Sequence, residues 1–208
     1  AASCGELPQT AASCGLNPNP NPNINPNPKE STRTRAFTPP SVEDVAAYVT
    51  EKGYGIELDI HLMKDGNLAV IHDSSLKRTA GASVRIEELT TEDLDNYHLE
   101  GTNERIPLFS DVLALFNGEA PLIVELKTVK GNYAQLCEAA CKLLDEYNGR
   151  YCIESFDPRC IAWLRKHRRD IIRGQLTENF FRSKSNLSWV AKFAMRHQLL
   201  NVITRPDF

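Results

Sequence analysis

Residues 55–66 read Gly55-Ile56-Glu57-Leu58-Asp59-Ile60-His61-Leu62-Met63-Lys64-Asp65-Gly66, and the order of polar and apolar residues in them decides the fold. A strand turns successive side chains to opposite faces, so Glu57, Asp59 and His61 share one face while Leu58 and Ile60 take the other. Two carboxylates turned inward are costly unless a cation or a hydrogen-bond network compensates them. The plain alternative is a half-exposed strand whose polar face is solvated.

Upstream, Ser41 followed by Glu43 and Asp44 is the signature of a capped helix start with an acidic first turn, and the helix should run to about Lys52. Gly53 and Gly55 then mark the exit into a strand over 56–60. Further short apolar runs at 68–71, 122–126, 151–155, 171–176 and 199–204 are strand-like. Between them lie helical patterns at 108–116, 133–147, 158–167 and 187–197. In the second of these Leu136, Ala139, Ala140, Leu143 and Leu144 follow the three-and-four spacing of one buried face. Strand and helix alternate, which predicts a parallel sheet with helical crossovers, either an open doubly wound sheet or a (β/α)8 barrel. Periodicity leaves both open.

Parallel α/β folds collect their functional side chains where strands end. The run at 68–71 delivers His72 and Asp73, and the run at 122–124 delivers Glu125 and then Lys127. Glu57, Asp59 and Glu125 would share one mouth. Three carboxylates without a cysteine suit a hard divalent cation, Mg or Ca, although histidine keeps zinc possible. Beside a cation that holds a phosphate oxygen, His72 could give a proton to a leaving alkoxide and Lys127 could balance phosphoryl charge. Lys127 could equally be a salt-bridge partner of Glu125 or Asp59.

The 208 residues suffice for one large domain or two small ones, and 41% hydrophobic content with a net charge of −3 is ordinary for a folded protein. The charge balance argues against a nucleic-acid partner. No apolar run approaches the roughly 20 residues of a membrane span, so no stable membrane insertion is expected. The six cysteines are scattered in a chain too large to need disulfide staples, which predicts reduced thiols and a cytoplasmic setting. Cys137 and Cys141, one helical turn apart, read as small packing residues. Residues 1–36 form a low-complexity arm in which Ala-Ala-Ser-Cys-Gly occurs twice and Asn-Pro dipeptides alternate from Asn17 to Pro28. Proline at that density excludes a helix interior or a central strand, so the arm is expected to be disordered or polyproline-like. Residues 37–208 carry the folded unit.

The quoted stretch, followed by Val70-Ile71-His72-Asp73, Leu76-Lys77-Arg78-Thr79, Arg105-Ile106-Pro107-Leu108, Ile123-Val124-Glu125-Leu126-Lys127 and Glu154-Ser155-Phe156-Asp157-Pro158, resembles the glycerophosphodiester phosphodiesterase family. The resemblance implies a (β/α)8 barrel with a small insertion after the third strand, here at about 74–106. It implies a divalent cation on Glu57, Asp59 and Glu125, with His72 as one of two catalytic histidines. Lys127 falls near the phosphate, and His61, Ser155 and Phe156 fall at substrate-lining positions. The implied reaction is metal-dependent hydrolysis of a small-molecule glycerophosphodiester to glycerol 3-phosphate and an alcohol, through attack by the substrate's own hydroxyl. Two departures stand out. The family's opening His-Arg-Gly strand, with the other histidine, is not found before Ser41, and the closing strands are not found before Phe208, so the barrel is expected to lack parts of its first and last strands. The missing histidine motivates an alternative, a catalytically impaired barrel that binds phosphodiesters or a protein partner. A third reading, a barrel phospholipase acting on lipid, would need an apolar rim. Only the helix at 187–197 offers one, and its Trp189, Val190, Phe193 and Met195 are expected to pack against the barrel instead.

Overall fold

The computed structural model describes residues 12–13, 41–99, 101–129, 131–178 and 188–208; the Asn-Pro run lies outside them. Strand β1 (Ala12–Ser13) is followed by helix α1 (Val42–Lys52), strands β2 (Ile56–Leu62) and β3 (Leu68–Val70), helix α2 (Phe109–Phe116), strand β4 (Leu122–Leu126), helix α3 (Tyr133–Leu144), strand β5 (Tyr151–Ser155), helix α4 (Pro158–His167), strand β6 (Arg173–Gln175) and helices α5 (Trp189–Arg196) and α6 (Asn201–Thr204). Two 3-10 turns, Ile86–Glu88 and Thr91–Asn96, lie between β3 and α2.

The sheet runs β1-β2-β4-β5-β6, parallel throughout, with β3 hung antiparallel on β2. The two residues of β1 belong to the low-complexity arm and pair with Ile56 and Glu57. Register explains the layering. Leu58, Val124 and Ile153 are neighbours across β2, β4 and β5 and lie in one core with Val49, Phe109, Val112, Phe116, Leu136, Leu144, Ile161 and Leu164 from the four helices α1 to α4. Burial of each such side chain contributes about 1.5–3 kcal/mol, which fixes that face of the sheet against the helices. The residues between them in sequence, Asp59, Glu125 and Glu154, are also register neighbours and occupy the opposite face. A parallel arc with helices outside and polar groups inside is the architecture of a (β/α)8 barrel.

α1 begins as the sequence predicts: the Asp44 amide donates to Ser41 Oγ and the Ser41 amide to Asp44 Oδ2, both at 3.1 Å. It ends on Gly53 at φ 67°, in the left-handed region that glycine enters without strain. Cys137 and Cys141 are buried in the core, and the four described cysteines have free thiols.

Three expectations change. The run at 68–71 is no step of the parallel alternation, because the turn at Met63 to Asn67, with Gly66 at φ 90°, folds β3 back along β2. Its consequence is useful: β2 extends beyond β4, and the hairpin returns the chain to the sheet's carboxyl edge, where the Ile71 amide donates to Asp59 O at 3.0 Å. Residues 199–204, strand-like in composition, instead include helix α6, with Val202 and Ile203 mostly exposed. Finally, α5 buries none of its residues. Trp189 and Val190 are each 69% exposed and Phe193 is exposed too, so these apolar residues, expected to pack on the barrel, are left largely uncovered, while Met195 is partly buried. No helix among the described residues is long and apolar enough to cross a membrane.

The segment after β3 has its own small core of Met63, Ala69, Ile71, Leu76, Ile86, Leu89, Leu94 and Ile106. Asp65 at the hairpin tip fastens to it, accepting from the amide and hydroxyl of Thr91, both at 2.8 Å. This segment is thus rigidly attached to the hairpin that carries the site.

Candidate active site

Period two on β2 and the parallel register with β4 bring Glu57, Asp59 and Glu125 together: one ligand oxygen from each lies within 4.8 Å of the others. Asp59 and Glu125 are buried, and Glu57 is partly so. Burial, reinforced by the Asp59 and Glu154 carboxylates, raises Glu57 to about 7, and burial likewise raises Glu125 to about 7 against the pull of Lys127.

Lys127 reaches between two of them, its Nζ 2.9 Å from Asp59 Oδ1 and 2.7 Å from Glu125 Oε1. Burial alone would lower the Lys127 ammonium, but those two carboxylates outweigh it and hold it above its ordinary value. The same two oxygens have only this ion-pair contact: neither takes a well-oriented hydrogen bond among the described residues, although both are buried. Three convergent carboxylates with no thiolate among them, two of them contributing buried oxygens without a well-oriented hydrogen bond, fit a hard divalent cation. Glu57, Asp59 and Glu125 would hold it.

The raised carboxyls set the sign of a pH effect. Between the ordinary value of 4.5 and about 7 the native state keeps protons that the unfolded chain has lost, so stability falls as pH rises through that window. Thermal unfolding in a chelator should therefore show a melting temperature that drops from pH 5 to pH 8, and a saturating divalent cation should abolish the drop. A flat profile in chelator would contradict the clustering.

His72 stands at the rim with its side chain 57% exposed, and its Nδ1 lies 2.7 Å from Asp73 Oδ1. Asp73 in turn accepts from Arg78 Nε at 2.7 Å, and that bond above all holds its carboxyl down at about 2. A carboxylate on Nδ1–H fixes the tautomer and directs Nε2 outward. His72, His61, Glu125, Lys127, Ser155 and Phe156 all line one cavity of about 1290 Å³, with Val190, Ala191, Ala194 and Met195 of α5 along another wall.

Not every expected site residue offers a free polar group. Both ring nitrogens of His61 are engaged, Nδ1 with Glu87 Oε1 at 2.8 Å and Nε2 with the His72 carbonyl at 3.3 Å. Ser155 is fully buried; its hydroxyl donates to Leu126 O at 2.8 Å and accepts from the Asp157 amide at 3.1 Å. It braces the ends of β4 and β5 where a substrate contact was expected. The ring of Phe156 sits 5.9 Å from Lys127 Nζ.

Sequence reasoning assigned no role to other groups that the fold gathers here. Asp73 orients His72, and its adjacency to that histidine was the available signal. Glu154, the register neighbour of Glu125, is pushed up by burial and by Asp59; period two on β5 could have placed it. Arg85 lines the cavity and lies 3.4 Å from Glu87, a placement with no local signal.

Comparisons with known proteins agree with this geometry. A glycerophosphodiester phosphodiesterase of Caldanaerobacter subterraneus subsp. tengcongensis is 33% identical over 112 residues, covering 50% of this chain and 46% of that protein. A lysophospholipase D of Rattus norvegicus is 32% identical over 104 residues, covering 44% of this chain and 32% of that protein. The chain thus spans half or less of the length of these relatives. Among solved structures, an Oleispira antarctica phosphodiesterase in complex with the product sn-glycerol-3-phosphate superimposes with a TM-score of 0.61 at 18% identity, over 77% of this chain and 65% of that one. A Thermotoga maritima glycerophosphodiester phosphodiesterase gives 0.55 at 22%, over 79% and 63%; likenesses at such identities establish the fold. A family model matches residues 41–205, the stretch that contains the three carboxylates, Lys127 and His72, and the chain accordingly belongs to the glycerophosphoryl diester phosphodiesterase family.

Proposed function

We propose that the chain carries the core of an enzyme that hydrolyses glycerophosphodiesters to glycerol 3-phosphate and an alcohol, with Mg or Ca as its cation. The observation that carries this reading is the clustering of Glu57, Asp59, Glu125 and Lys127, of which Glu125 and Lys127 line one cavity with an exposed imidazole backed by a carboxylate. The catalytic unit in this reading is residues 37–208, with 74–106 as its inserted segment. Free thiols on the described cysteines support a cytoplasmic setting.

The cation, when bound, would supply Lewis-acid stabilisation of the phosphoryl charge. The chain's own residues do the rest. Lys127 neutralises negative charge beside the same carboxylates. His72, held by Asp73 through Nδ1, presents Nε2 to the cavity and delivers a proton to the departing alkoxide. The apolar face of Phe156 and the wall of α5 accept the non-polar parts of the substrate.

A second reading rests on one observation: His61 is committed to protein contacts through both nitrogens, which leaves His72 as the imidazole presented to the cavity. A barrel with one such group could bind phosphodiesters without turning them over. Incubation of the protein with glycerophosphocholine and Mg or Ca separates the two readings. Release of glycerol 3-phosphate that a chelator abolishes is the expected result. Saturable binding of several glycerophosphodiesters without product would overturn the enzymatic reading.

A further inference from the structure

We propose that Glu87, in the segment between β3 and α2, is a positioning residue for the His72 imidazole, acting on the 71–74 backbone through His61 and Ser74. The inference rests on the reading of His72 as the proton donor.

His72 has little to hold it by its own side chain, which is 57% exposed and braced by Asp73, its immediate neighbour in sequence. Its position is therefore set by the backbone on either side. That backbone is fastened repeatedly, to two elements. On the β2 side, the Ile71 amide donates to Asp59 O at 3.0 Å, and the His72 carbonyl faces His61 Nε2 at 3.3 Å. On the other side, the Ser74 carbonyl accepts from the Ile86 amide at 2.8 Å, and the Ser74 hydroxyl donates to Glu87 Oε2 at 2.6 Å.

Glu87 is where these two sides meet. Its Oε1 lies 2.8 Å from His61 Nδ1, so one carboxylate grips both the ring that touches His72 and the hydroxyl two residues beyond it. His61 is 3% exposed, too enclosed to change partners with water. Burial would push the Glu87 carboxyl up, yet the hydrogen bonds from His61 and Ser74 outweigh it and hold the group below its ordinary value. An ionised, nearly enclosed acid that spends both oxygens on the flanks of one histidine is arranged to fix that histidine.

A purely structural role is separable, because the fully buried Ile86 anchors this turn in its own small core whether or not residue 87 bears a carboxylate. The test uses the full chain with Glu87→Ala and Glu87→Gln. It measures glycerol 3-phosphate release, affinity for Mg, and amide hydrogen exchange at Ile71 and Ile86.

Glu87→Ala should lower kcat about 10–100-fold, the scale of a catalytic group displaced by about 1 Å or less, with KM and Mg affinity within about twofold of the parent. Exchange at Ile71 and Ile86 should quicken about tenfold or more. Glu87→Gln keeps an oxygen for His61 and an amide toward Ser74, so it should recover most of kcat. The proposal is overturned if Glu87→Ala keeps kcat within about twofold, or if Mg affinity falls as far as kcat. Should the parent show no turnover at all, the enzymatic reading fails by itself. Exchange then decides: faster exchange in Glu87→Ala upholds the clamp, and unchanged protection at both amides overturns it.

Discussion

Replacing His72 by alanine should lower glycerol 3-phosphate release about 10²–10⁴-fold while leaving cation affinity and stability essentially as they are. The separation follows from where the side chain sits. His72 is at the rim, its side chain bonds Asp73 on its own loop, and the loss of that side chain removes no core contact, so a stability change of about 0.5 kcal/mol or less is expected. The carboxylates that would hold a cation come from β2 and β4, whose pairing does not involve His72. Asp73→Asn tests the same assignment more gently: an amide at that position no longer fixes the Nδ1–H tautomer through a charge, and the rate should fall less than for His72→Ala. Steady-state rates alongside Mg titration are the measurement. A His72→Ala protein that retains more than about a tenth of the parent rate would assign the proton to another group.

How far the sequence revealed this site depends on how local each relationship is. Glu57, Asp59 and His61 were placed on one face because strand alternation is a local rule, and the register with Glu125 required only that β2 and β4 be parallel neighbours. The direction of β3 was not legible in Leu68-Ala69-Val70, a run too short to carry direction. The signal lay in Asp65-Gly66-Asn67, where a turn residue at positive φ reverses the chain. Residues 199–204 misled because Val202 and Ile203 favour strands by composition, whereas Gln198 at φ 52° and the hydrogen bonds of 200 with 203 and 204 start a helix there. In α5 the three-and-four spacing of apolar residues was real, but spacing does not say what covers a face, and none of its residues is buried. Least legible were Glu87 and Arg85. The His61 to Glu87 contact spans 26 residues, and only folding of the segment's own core brings the two together.

Lys127 should show opposite effects on binding and on turnover, and this test bears most directly on the carboxylate cluster. Its Nζ contacts Asp59 Oδ1 and Glu125 Oε1, two of the oxygens a cation would need, so ammonium and cation compete for them. Lys127→Met removes the competitor, and affinity for Mg or Ca should rise about tenfold or more, since each factor of ten requires only about 1.4 kcal/mol. Without a cation the same substitution leaves buried carboxylates unpaired, a loss of about 3–5 kcal/mol for the breaking of a buried pair. That loss should be largest above pH 7, where Glu57 and Glu125 are ionised, and smaller near pH 6, where carboxyls raised to about 7 take up protons and neutralise themselves. Turnover moves the other way: with the ammonium gone, the charge on the phosphoryl group loses a preorganised partner, and kcat should fall about 10²–10³-fold even at saturating cation. Calorimetric cation titration, chelator melts at pH 6 and pH 8, and product assays measure the three effects separately. Weaker cation binding by Lys127→Met would mean that the lysine supports the cation site from outside it, and that these carboxylates are held together by the ammonium alone.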